Sequence, residues 1–328
     1  MKSDNDATAK VESDLEGLVY SVMYDLSRFE YGPIQQIGVM YHTDFKGKPR
    51  VIAIRPYPIE AVQWVPDKGL YYTCKNDVWH LWDSQGKEID RHIQKGKEPV
   101  CVLAWVPGFG LCSAGREGVI RRSTNEKGLP SIGVIAERPG RVYSLLWIPE
   151  RGLFDAGCRP EYHQIRKCLD KDANKTDELV AERLGAKSYR TGDYSWSLPT
   201  LCWAPTIGLL DNGGFFDPDK SLVRYLDETG NKCSELLAIK EGNLAYVDAF
   251  KYENTCRLGR HQFGIDHPIT TAEEILDWAE IPGQGLLYAG KSGIYKLLDE
   301  KGTLVEDKKP VISTHPHQAI AMTGICNR

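Results

Sequence analysis

Five stretches of the chain repeat one another, and that repeat limits the fold more than any single residue does. Val102-Leu103-Ala104-Trp105-Val106-Pro107, followed by Gly110-Leu111, Ala114-Gly115 and Gly118-Val119-Ile120, matches Ser144-Leu145-Leu146-Trp147-Ile148-Pro149, followed by Gly152-Leu153 and Ala156-Gly157. The others centre on Trp64, Trp203 and Trp278, with Gly69-Leu70, Gly208-Leu209 and Gly285-Leu286 behind them. The tryptophans lie 41, 42, 56 and 75 residues apart, and the last gap is long enough to hold a degenerate unit. A period of roughly 40–50 residues points to solenoids or propellers.

One unit, residues 98–137, reads as four short strands. Val100–Val106 is an apolar run, turned by Pro107-Gly108 into a second strand over Leu111–Ala114. Gly115–Gly118 makes the next turn, Val119–Ser123 the third strand, Asn125–Gly128 another turn and Ile132–Ala136 the fourth. Strands of this length between Gly, Pro and Asn turns predict an antiparallel meander. Such a sheet cannot cover both its faces alone, whereas sheets packed radially cover one another. The Trp-x-Pro element and its Gly-Leu partner are expected to pack between blades.

The expected fold is therefore all-β, a single closed propeller over residues 15–328 with seven four-stranded blades, six being the alternative count. One unit is placed at about Leu244–Glu274, where Tyr246–Phe250 takes the first-strand position. Another is split: Gly17–Val22 resembles Gly69–Cys74 but has no first strand before it, and Ala319–Gly324 is expected to pair with it. Residues 1–14 are polar and read as a disordered tail.

The order Val-x-x-Leu-x-Trp-x-Pro, Gly-Leu-x-x-Ala-Gly, Gly-x-Ile, then Asp-x-x-Gly resembles the WD-repeat family of propellers. The third-strand ending occurs as Trp82-Asp83 with Gly86, Leu226-Asp227 with Gly230 and Leu298-Asp299 with Gly302. Only the first is a literal Trp-Asp, and the family's Gly-His pair before the first strand is missing. The resemblance implies a rigid interaction scaffold without catalysis of its own.

A formal charge of −4 gives no general attraction to nucleic acid or anionic membrane, and no run approaches the roughly 18 apolar residues of a membrane helix. The polar start lacks a signal peptide's apolar segment. Nine cysteines without a C-x-x-C pair read as free thiols of a reducing compartment, so the expected location is cytoplasmic.

Glu60, Glu98, Glu241 and Glu274 stand near first strands, and Lys75, Arg116, Arg159 and Lys291 follow second strands. These regions share one end of a blade. Glu60–Lys75, Glu98–Arg116 and Glu274–Lys291 read as ties between loops; alternatively, the basic members line the channel mouth and take an anionic group. A second basic series, His80, Arg122, Lys167, Arg224 and Lys296, lies three residues before the third-strand Asp or its equivalent and reads as structural.

Two segments break the period, and irregularity in a repeat array is a natural place for function. Tyr189, Tyr194 and Trp196 lie in one, Phe215 and Phe216 in the other, and together they are expected to help build a binding surface. His315-Pro316-His317, and His261 with Asp266 and His267, show no third converging ligand, so no metal or cofactor is expected. The preferred function is a non-catalytic module recognising a protein or peptide at the channel mouth. The alternative is a propeller enzyme or lyase acting at the channel on a polar or anionic small molecule.

Overall fold

A computed structural model describes residues 16–25, 36–46, 48–158, 162–184, 201–204, 208–211, 223–236, 277–281, 283–289, 293–301, 305, 309–314 and 318–325. The first blade contains β1 (Gly17–Asp25), β2 (Gln36–Thr43) and β3 (Arg50–Arg55). The second is β4 (Val62–Val65), β5 (Gly69–Cys74), β6 (Asp77–Trp82) and β7 (Glu88–Lys95). The third is β8 (Val100–Val106), β9 (Gly110–Gly115), β10 (Val119–Thr124) and β11 (Pro130–Glu137). The fourth is β12 (Arg141–Ile148), β13 (Gly152–Cys158), β14 (Tyr162–Leu169) and β15 (Lys175–Leu184). The fifth is β16 (Leu201–Ala204), β17 (Gly208–Asp211), β18 (Val223–Leu226) and β19 (Lys232–Leu236). The sixth is β20 (Asp277–Ile281), β21 (Gly285–Ala289), β22 (Gly293–Leu298) and β23 (Ile312–Ser313), and β24 (Gln318–Ile325) ends the described chain.

Each sheet is an antiparallel four-stranded meander, and β24 completes the first one in the order β24-β1-β2-β3. Leu18 faces Gly324 and Val22 faces Ala319, so the expected pairing of the two ends is present. The described residues build six blades, which corrects the count of seven. The unit expected at about Leu244–Glu274 and the tail expected at 1–14 lie outside the described residues. The inner strands β20, β24, β4, β8, β12 and β16 follow one another, each touching the next.

The recurring residues have physical reasons. Lys68, Phe109 and Arg151 donate their backbone N–H to the carbonyls of Val65, Val106 and Ile148 three residues back. Pro66, Pro107 and Pro149 take the first central place in these turns, and Asp67, Gly108 and Glu150 the second, with φ of 60°, 72° and 61°. That is a type II turn, for which proline is pre-set and glycine is best suited at the second place. The next glycine starts the second strand at positive φ, 110° in Gly69 and 124° in Gly152. A Cβ there would lie 1.9 Å from the Trp82 carbonyl oxygen, or 2.1 Å from that of Leu169. No other residue fits, and the leucine that follows is buried in every blade.

Trp64 belongs to a core cluster joining the first and second blades. Trp105 packs on the next such cluster, Trp147 on the one between third and fourth blades, and Trp203 on the one between fourth and fifth. These rings pack between blades as expected. Trp278 is different: it pairs with Tyr288, and Glu280 faces Leu286 where Trp64 faces Leu70. Its equivalence to the other four tryptophans is therefore corrected by two residues.

The third and fourth strands are joined by one repeated turn. Asp83, Asn125, Asp170 and Asp227 each accept, through a side-chain oxygen, backbone N–H groups two and four residues on. Asp44 and Asp299 accept from the residue two on. A short carboxylate or amide thus caps each hairpin.

Candidate functional site

One face of the propeller carries the turns between second and third strands together with the links from one blade to the next. On the second blade, Lys75 occupies φ +57°, uncommon for a lysine. The turn is clasped to the following link: Val100 N–H donates to the Lys75 carbonyl at 3.0 Å, and Gly96 N–H to the Asn76 carbonyl at 2.7 Å. Asn76 Nδ2 donates to the Lys97 carbonyl at 2.9 Å. With the backbone so held, the exposed Lys75 side chain sets its Nζ 4.5 Å from the centre of the Tyr57 ring.

Arg116 holds the same place on the third blade. Its N–H donates to the Pro99 carbonyl at 3.0 Å, and its side chain is exposed. Arg141 opens β12 on the fourth blade, with its guanidinium 5.1 Å from the Tyr143 ring centre. In β8 of the third blade the Cys101 thiol donates to the Pro99 carbonyl at 3.7 Å. Burial pushes this thiol up to about 12, and the Glu60 carboxylate beside it adds to the rise, while Arg141 and Arg116 oppose it. At neutral pH it is a neutral group on the floor of a charged rim.

The expected ties Glu60–Lys75 and Glu98–Arg116 are not formed: no ion pair joins either couple. Glu60 instead reaches Cys101 and acts on Arg141. The repeat put Glu60 and Lys75 at one end of a blade without specifying side-chain direction. Several other cations are matched to carboxylates. Arg138 pairs with Asp155 and Asp177, Arg166 with Asp177, Arg55 with Asp90 and Lys167 with Glu178. Among the described residues, no carboxylate forms an ion pair within 4 Å of Lys75, Arg116 or Arg141.

The second basic series is structural where its side chains are described. His80 stacks on Tyr71 with ring centres 4.1 Å apart and bonds the Lys68 carbonyl at 2.8 Å. The Arg122 guanidinium lies 5.0 Å from the Phe109 ring centre, and Lys296 reaches Gln284. Each lies against the residue just before a strand-starting glycine. The remaining sequence candidates Tyr189, Tyr194, Trp196, Arg159, Phe215, Phe216 and Lys291 lie outside the described residues, as do Glu274, His261, Asp266, His267, His315 and His317.

At the opposite face, a cleft of about 420 Å³ separates the fourth and fifth blades beside Arg151, Lys167, Glu178 and Lys232. Glu178 pairs with both lysines there, at 2.8 and 3.5 Å, so these charges satisfy one another. Among the described residues no three His, Cys, Asp or Glu side chains gather as a metal site, and no helix is long and apolar enough to cross a membrane. Cys74, Cys101, Cys112, Cys168, Cys202 and Cys233 are not joined in disulfides.

No family model matches the sequence, and no curated protein matches it. The chain is similar to one in a solved structure, "Crystal Structure of Mitotic Checkpoint Complex", at 17% identity over 79% of this chain and 67% of that one, with a TM-score of 0.46. A likeness of that size carries no functional weight. By its own strand order and repeated turns, the chain is a β-propeller of four-stranded blades.

Proposed function

We propose that this protein is a non-catalytic binding module that takes a protein or peptide partner on the face bearing Lys75, Arg116 and Arg141. One observation carries the reading: three successive blades present cations there with no carboxylate of the described residues in ion-pair reach, while Arg55 and Arg138, in the links of the same face, are taken up by ion pairs. Tyr57, 43% exposed, and Tyr143 back two of them. Exposed aromatic and arginine side chains together are typical of interface centres. Tyr194, Trp196 and Phe215 are further candidates of the same proposal, on sequence grounds alone.

The test is capture from cell lysate on the immobilised protein. A Lys75→Glu/Arg116→Glu variant reverses charge on the proposed face, and Lys87→Glu/Lys127→Glu does so at the hairpin turns of the other face. Melting temperatures matching wild type establish that both variants fold. The proposal expects a stoichiometric partner lost from the first variant and kept by the second. Equal capture by both variants contradicts it.

A further inference from the structure

We draw no further inference here: the strongest candidate, the outer strand β11 of the third blade, where Ile132 and Val134 stand exposed and only Glu137 is charged, carries none, because nothing in the structure shows what covers that apolar edge.

Discussion

Arg138, at the exit of the third blade, and Asp155, in the second strand of the fourth, are joined by two parallel hydrogen bonds of 2.8 and 2.7 Å across the blade boundary. Both side chains are buried, at 8% and 1% exposure. Asp177 in the outer strand accepts from Arg138 as well, at 2.9 Å. The boundary between the first and second blades repeats the device: Arg55 donates to the Tyr72 hydroxyl at 2.6 Å and to Asp90 at 2.5 Å. Tyr72 and Asp155 each lie three residues after a strand-starting glycine, and each lies seventeen after its arginine.

Removing one member of a buried ion pair leaves the other charge without compensation. Arg138→Met is therefore expected to cost about 3–5 kcal/mol in urea unfolding. Arg138→Met/Asp155→Leu should recover most of that loss. A double variant no more stable than the single one would show that the arginine acts mainly through packing.

Glycines of identical type should respond oppositely to alanine. Gly152 starts a strand at φ +124°, where a Cβ would lie 2.1 Å from a backbone oxygen, whereas nothing lies within 4 Å of a Cβ at Gly133. Gly152→Ala should cost at least about 2 kcal/mol, from backbone strain and overlap together. Gly133→Ala, in an outer strand, should be neutral or slightly stabilising. Thermal unfolding of the two variants compares them directly.

Glu150 and Ala173 hold left-handed positions at φ of 61° and 60°, where Gly283 and Gly230 stand in other blades. Glu150→Gly and Ala173→Gly should each gain about 0.5–1 kcal/mol, since the left-handed penalty of a side chain exceeds the added freedom of the unfolded chain. A fall in melting temperature for both would contradict the turn assignment.

Asp277 ties the sixth blade to the first, its carboxylate accepting the Met322 N–H at 2.7 Å. Burial pushes its carboxyl up to about 7, against the pull of the Met322 and Trp278 backbone groups. Between about pH 4 and 7 the folded protein thus keeps a proton that the unfolded chain has released. The stability held below pH 4 is lost as pH rises through 7. Asp277→Asn keeps an acceptor and cannot ionise, so its melting temperature should gain on wild type from pH 5 to pH 8. A constant difference across that range would contradict the shift.

The blade repeat was legible because its markers answer backbone demands. Proline suits the type II turn, glycine alone fits the strand start, and the following leucine fills the space between blades. The shift at Trp278 was visible as well, since seven residues separate it from Gly285 where five separate Trp64 from Gly69. Charge was harder to read. Spacing placed Glu60 and Lys75 at one end of a blade, but rotamers and neighbours turned Glu60 toward Cys101. The Arg138–Asp155 clamp crosses between blades, so a reading confined to one repeat could not find it, although the shared offset of seventeen was available. Of the proposed binding face, Lys75 and Arg116 could be named from the repeat. Arg141 could not, because it opens a first strand where the other units place no cation.

The most direct test of the binding face is hydrogen–deuterium exchange on the protein alone and in complex with its captured partner. The account predicts added protection in 57–60, 74–77, 96–101, 115–118 and 140–143. Protection confined to the hairpin turns at 83–87, 125–129 and 170–174, or to the outer strands, would contradict it.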